Sequence, residues 1–443
     1  MVPMLIEFTV GNFRSFKEPV TLSMAAAKLK ARDEKVNQNN TIVVDDKLTL
    51  LTSAAIYGAN ASGKSNLVKA FAFMRAFTLD SAKATQANEK IGVAPFRLST
   101  ETEKRPSFFE IVFLLDNLTY RYGFEVDQER VVSEWLFYVP RKQEVRLFVR
   151  DEKGIAVSRQ FKGGAVAKKL TRSNALFLSV AAQLNSETAI QVLDWFLMTV
   201  IISGLDDTEP GEYSAQKYSE NARYHEEILR LIRGSDVDIK DVIAQKGMPP
   251  VIPAKIVPQK SLHYIAEKMQ DDDEVISFKT AHTKRNSQGQ AVENTLFDLG
   301  DESEGTLKLF QISGPIVDVL LNGRVLFIDE IEARLHTHLT RKLIQLFNSK
   351  ATNPKQAQIV FATHDTNLLS NKLFRRDQIW FVEKDQFSAS HLYSLAEIKI
   401  GDDKIRNDAS FEDDYLQGRY GAIPLLGELR QIFIDSDGHE TQE

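Results

Sequence analysis

Cysteine is absent from this chain of 443 residues. Disulfides and cysteine-ligated zinc or iron–sulfur centres are therefore excluded, and a reducing, cytoplasmic setting is expected. A long apolar run is also missing. The longest uncharged stretch, residues 195–205, falls well short of the roughly 20 residues that a membrane helix needs, so it reads as a buried helix or strand and no membrane partner is expected. Residues 1–16 lack the charged start and apolar run of a secretory signal. Glycine (22) and proline (13) are too few for a collagen-like or low-complexity chain. Neither a 20–50-residue repeat nor a sustained heptad pattern occurs, which leaves out solenoids and coiled-coil arms. Excess positive charge is lacking too: the net charge of −6 argues against a globally basic nucleic-acid binder. Clusters such as Lys168-Lys169, Lys284-Arg285 and Arg375-Arg376 read as solvated faces, and leave nucleic acid open as a partner.

What is present is a 43% hydrophobic composition, enough for a large core and more than one structural unit. Residues 4–10 read as a strand and residues 12–16 as a turn; residues 48–57 read as one further strand, and residues 66–78 have helical spacing. Short β-rich runs at 108–115, 119–126 and 134–139 suggest an antiparallel meander. Residues 169–205 look mainly helical. Residues 204–258 are polar and carry Pro210, Pro249, Pro250 and Pro253, the pattern of an insertion that is part helix and part loop. From residue 307 onward, helical segments alternate with short apolar strands at 325–328, 358–362 and 378–382, the signature of a parallel sheet covered on both faces. The chain thus divides into residues 1–205 (antiparallel lobe with a helical segment), 206–290 (insertion, partly helical) and 291–443.

Three strings carry chemistry. Gly58-Ala59-Asn60-Ala61-Ser62-Gly63-Lys64-Ser65, followed by Asn66, fits G-x-x-x-x-G-K-S without a mismatch. Its glycines let backbone N–H groups face phosphates, its lysine reaches the β- and γ-phosphates, and its serine holds Mg²⁺; the helix N-terminus that follows adds its dipole. Val325-Leu326-Phe327-Ile328-Asp329-Glu330 is an apolar strand ending in two carboxylates. The first suits Mg²⁺ and the second suits polarisation of a water, although a strand followed by acids is common on its own. Residues 358–365 form another apolar strand ending in Thr363-His364; a lone histidine there is more often structural than catalytic.

Taken together, these strings resemble the ABC-type ATPases, in particular the SMC-like and OLD-like heads found in bacterial DNA-repair and phage-defence loci. The likeness extends to Asn12-Phe13-Arg14-Ser15-Phe16, to Asp329-Glu330-Ile331-Glu332 running into Leu335-His336, and to Gly418-Arg419-Tyr420-Gly421-Ala422-Ile423-Pro424. The resemblance implies an α/β fold: a two-lobed head, with a mixed sheet bearing the P-loop, an antiparallel β lobe and a helical insertion. It places the P-loop with the antiparallel sheet in one lobe, and the signature loop with Asp329 and Glu330 in the other. It implies ATP and Mg²⁺ as ligands, with Gly58, Asn60, Ala61, Ser62, Gly63, Lys64, Ser65 and Asn66 around the nucleotide, Ser65 and Asp329 on the metal, Glu330 as catalytic carboxylate and His364 as switch histidine. The family's signature loop matches Glu302-Ser303-Glu304-Gly305-Thr306. Ser303 and Gly305 keep the pattern, whereas Glu304 and Thr306 depart from it, and an ordinary helix cap by Ser303 is the competing reading. Arg14 reads either as a phosphate neighbour or as a surface arginine. A homodimer or higher homo-oligomer sandwiching ATP is implied. Two outputs remain open: hydrolysis that drives or times a defence or DNA-maintenance action, and an ATP-dependent scaffold or sensor that releases a separate nuclease or toxin effector. No nuclease activity is expected of this chain; its dense acidic runs, at 271–274 and 412–414, read as solvated loops.

Overall fold

The computed structural model describes residues 3–83, 86, 88–140, 143–205, 208–235, 238–247, 275–400, 403–406 and 408–423. Pro249, Pro250, Pro253, Pro424 and the acidic run at 271–274 lie outside the described residues. The fold is mixed α/β, in two compact units. The first gathers described residues of 1–205, 319–333 and 340–443, and the second those of 206–318 and 334–339.

In the first unit, strands with period-2 burial build a seven-stranded antiparallel sheet. Ser107–Leu115 alternates buried and half-buried positions over its first six residues, as a sheet with one covered face requires. The strand order is Gly154–Val157, Val145–Asp151, Val131–Val139, Leu118–Val126, Ser107–Leu115, Met4–Gly11 and Val20–Ser23. The second sheet has a different origin. Its strands are short and apolar; all five residues of Ser53–Tyr57 are buried, because helices and the other sheet leave neither face to water. Its order is Thr199–Ser203, Val325–Asp329, Gln358–Ala362, Ser53–Tyr57, Ile379–Lys384 and Ser390–Ser394. The first five strands run parallel and the last is antiparallel.

The helix Lys64–Asp80 joins these layers. Phe71 stacks on Phe327 of the parallel sheet at 3.9 Å between centroids and meets Phe8 of the antiparallel sheet edge-on at 5.3 Å. All three rings are fully buried, so this helix is apolar on two sides rather than one. Gln358 supplies a polar tie between the same layers. Its Oε1 accepts from the Leu5 N–H at 2.6 Å, and its Nε2 donates to the carbonyls of Leu5 and Leu51. This satisfies a fully buried amide.

The second unit holds helices Thr208–Glu220 and Ala222–Arg233. It also holds an antiparallel sheet of Asp241–Gly247, Val275–Arg285 and Ala291–Asp298, and the start of helix Glu304–Asn322. Buried Tyr218 centres its core, donating to the Val242 carbonyl at 2.6 Å and packing near Phe278 and Phe310. No helix among the described residues is long and apolar enough to cross a membrane.

Four expectations are corrected. Residues 48–57 form two strands in different sheets. Thr49–Leu51 pairs with Thr41–Val43 and Ser53–Tyr57 enters the parallel sheet; the chain changes direction where Asn348 Oδ1 accepts from both the Thr52 and Ser53 hydroxyls. Residues 199–203, which close a segment read as mainly helical and lie in an apolar run that reads as either helix or strand, are a strand beside Val325–Asp329. Asp329 does not stand in a lobe apart from the P-loop: its strand shares one sheet with Ser53–Tyr57, because pairing between strands so far apart in sequence leaves no local trace. Finally, Arg375 is not part of a solvated face. It is buried and its guanidinium pairs with Asp377 at 2.7 Å.

Candidate functional site

The P-loop spans the C-terminal end of strand Ser53–Tyr57 and the start of helix Lys64–Asp80. Gly58 has φ +152°, and a Cβ there would overlap the Val382 carbonyl of the neighbouring strand and crowd Ser62 Oγ; only glycine lets the loop pass. Ala61 also has positive φ, 60°. The helix begins without a side-chain cap, so its first N–H groups remain for a ligand. Two distant segments clasp the loop. Ser390 Oγ donates to the Ser62 carbonyl at 2.5 Å, and Asn66 Nδ2 donates to Ser15 Oγ at 2.8 Å. The Ser390 N–H in turn bonds the Ser15 carbonyl. The Asn12–Phe16 turn thus braces the P-loop through Ser15, while the Arg14 side chain is exposed.

Lys64 is buried. Its Nζ donates to the carbonyls of Gly58 and Ala59 at 2.7 and 3.0 Å and lies 3.4 Å from His364 Nδ1. Burial pushes its pKa down to about 8, opposed by Asp329, Glu332 and Glu330. With Lys64 donating, Nδ1 of His364 accepts and the ring proton sits on Nε2. The imidazole of His364 is held below its usual pKa, first by burial and then by Lys64, against the pull of Glu332, Glu330 and Asp329. Ser65 Oγ donates to Asp329 Oδ1 at 3.2 Å. Among the described residues Ser62 Oγ is buried without a hydrogen-bond partner. A hydroxyl and a carboxylate side by side at a helix N-terminus form a hard oxygen donor set, and with the orphaned Ser62 hydroxyl they fit a phosphate bearing a divalent cation.

Glu330 follows Asp329 with φ 53°, a left-handed turn rare for a residue with a side chain. Gly204 explains how it is held. The Gly204 N–H donates to the Asp329 carbonyl at 2.6 Å, and a Cβ at 204 would overlap the carbonyl of Glu330. Glu332 also enters the site: its Oε1 accepts from the His364 N–H at 2.5 Å. Neither role was legible. Gly204 is a glycine after an apolar run, and Glu332 stood inside a recognised string without an assigned task.

Ser303 and Gly305 belong to the second unit. There Ser303 Oγ accepts from the Thr306 N–H at 3.2 Å and contacts Thr306 Oγ1, so it caps helix Glu304–Asn322. Gly305 packs against the Arg334 carbonyl. Glu302, one residue earlier, is bound by Thr280 and by His282 Nε2 at 2.7 Å, which ties the loop to strand Val275–Arg285.

A family model described as "AAA domain, putative AbiEii toxin, Type IV TA system" matches residues 53–370. No curated protein matches the chain. Among solved structures, the chain is similar to the SMC head domain from Thermotoga maritima, with 13% identity and a TM-score of 0.38 over 90% of this chain and 100% of that one. It is also similar to an Smc head bound to the C-winged helix domain of ScpA, with 14% identity and a TM-score of 0.42 over 88% and 97%. A third is an Smc head with an extended coiled coil, bound to the C-terminal domain of ScpA derived from Pyrococcus furiosus, with 13% identity and a TM-score of 0.42 over 88% and 96%. The family match takes in the P-loop, Asp329-Glu330 and His364 alike: this chain belongs to that AAA-domain family and is a nucleotide-binding ATPase of the AAA type.

Proposed function

We propose that the chain binds ATP with Mg²⁺ at the P-loop, dimerises on the nucleotide and hydrolyses it. One observation carries this reading: Lys64 and Ser65, at the start of helix Lys64–Asp80, meet His364 and Asp329, at the ends of two neighbouring strands, with Lys64 3.4 Å from His364 and Ser65 3.2 Å from Asp329. The P-loop residues from Gly58 to Asn66 surround the phosphates. Lys64 leaves the Gly58 and Ala59 carbonyls for the β- and γ-phosphate oxygens, a stronger charge-assisted contact. Ser65 and Asp329 would hold Mg²⁺, which offsets phosphate charge. Glu330 orients and polarises the attacking water, and His364 offers its Nε2–H to the γ-phosphate. Ser303 and Gly305 act on the nucleotide held by a second copy.

The family description speaks of a toxin in a type IV toxin–antitoxin system. The description adds only a toxin–antitoxin setting; the place of the ATP cycle in anti-phage defence or DNA maintenance, with a separate nuclease or toxin as effector, is inferred from the resemblance in sequence. Glu330→Gln tests the chemistry. It should bind ATP, accumulate as an ATP-bound dimer on sizing columns, and hydrolyse about 10²- to 10⁴-fold more slowly. Turnover near the wild-type rate would remove Glu330 from the role of base.

A further inference from the structure

We infer that Glu332 is a positioning residue of the nucleotide site, holding the His364 loop in register with the P-loop. The inference rests on the ATPase reading above, yet its starting point is a geometric fact that this reading does not use. The two oxygens of the Glu332 carboxylate have different surroundings. Oε1 accepts from the backbone N–H of His364 at 2.5 Å. Oε2 is buried and, among the described residues, has no hydrogen-bond partner. A buried carboxylate oxygen without a donor is costly, and such atoms in folded proteins call for a reason.

Its placement supplies one. Glu332 is among the carboxylates that favour the charged forms of both Lys64 and His364. The Ile331 N–H is bonded to the Ala362 carbonyl, so the turn after Asp329 is sewn to the end of strand Gln358–Ala362. Glu332 adds the next stitch and fixes the residue on which the γ-phosphate contact depends. Without it, the hydrogen bond left to His364 among the described residues is that between its ring and Lys64, which the arrival of phosphate disrupts when Lys64 moves. Oε2 is the acceptor left for a donor that arrives with the nucleotide, such as a water molecule in its shell.

Glu332→Ala and Glu332→Gln test this in the full chain. Turnover of ATP is read with kcat and KM separated, nucleotide affinity with a fluorescent ATP analogue, and the His364 amide by hydrogen exchange of a peptide covering residues 363–366. Loss of an outer partner of this kind costs about 10- to 100-fold in activity. Glu332→Ala should therefore lower kcat by that factor, leave KM and analogue affinity within about threefold, and speed exchange at residue 364 about tenfold or more. Glu332→Gln, which keeps an acceptor for the N–H, should recover most of both losses. An unchanged kcat with unchanged exchange overturns the proposal, as does an equal loss of affinity and kcat that glutamine fails to rescue. Should Glu332→Ala not fold, Glu332→Asp, one methylene too short to reach, takes its place with the same readouts. The exchange measurement needs no turnover. A wild-type chain that hydrolyses no ATP therefore fails the ATPase reading alone, while exchange at residue 364 still decides the role of Glu332.

Discussion

In the proposed site Lys64 carries the charge that meets phosphate, and its burial gives it a testable pH signature. Desolvation lowers its pKa to about 8 from 10.5, against the pull of Asp329, Glu332 and Glu330. Phosphate contact favours the ammonium form, so binding requires a proton that the free protein begins to lose above about pH 8. ATP affinity should therefore be level below that pH and fall above it, by up to about tenfold per pH unit. For stability the sign reverses. The cost of burying the ammonium is present in full below about pH 8 and is relieved as the pH rises toward 10.5, because the unfolded chain then binds more protons than the folded one. Titration with a fluorescent ATP analogue across this range checks the first statement. Lys64→Arg, which stays charged throughout, should flatten the profile, and Lys64→Ala should abolish tight binding. Micromolar affinity retained in Lys64→Ala would falsify the assignment of the P-loop as the nucleotide site.

At the scale of elements, strand Thr199–Ser203 does more than extend the parallel sheet. Its register places Ser203 opposite Asp329, and the following Gly204 presses on the carbonyl of Glu330. Gly204→Ala must push that turn outward. We expect ATP binding within a few-fold of wild type, hydrolysis slowed about 10- to 100-fold, and a stability loss of about 1–3 kcal/mol from overpacking. Single-turnover kinetics and chemical denaturation read these separately; normal hydrolysis would show that Glu330 does not depend on this contact. The same strand marks the limit of what the sequence discloses. The strands ending in Asp329 and Ala362 were legible because each is a short apolar run stopped abruptly by polar chemistry, and the P-loop because its spacing is unmistakable between a strand and a helix. Residues 195–205 offer no such contrast. Trp195 and Phe196 close a helix and Thr199 opens a strand, but an unbroken apolar run fits either form. What decides is pairing with residues 325–329, and that leaves no local signal. The tasks of Gly204 and Glu332 were hidden for the same reason, since both act through backbone groups brought near only by the sheet.

For the whole molecule, the open matter is whether the site in one chain is complete. Ser303 presents two readings that a single substitution does not separate. In this chain its hydroxyl caps helix Glu304–Asn322 by accepting from the Thr306 N–H, and loss of such a cap costs about 0.5–2 kcal/mol. In the proposed dimer it also faces the γ-phosphate of the other copy. Ser303→Arg removes the cap and fills the clamp, so a loss of hydrolysis alone is ambiguous. Ser303→Asp resolves it: aspartate is as good a cap as serine, yet its charge opposes a phosphate. Stability should therefore stay near wild type in Ser303→Asp, ATP binding to Lys64 should persist, and hydrolysis should be lost in both variants. Mixing either variant with Lys64→Ala supplies the decisive comparison. In a mixed dimer one composite site combines an intact Lys64 with an intact Ser303, while the other carries both lesions. Random pairing at equal amounts should restore about a quarter of the wild-type sites in a two-fold dimer. Recovery in that range, from two proteins each inactive alone, is what a shared site requires. If mixed dimers form and activity stays at background at every ratio, Ser303 is a helix cap and nothing more.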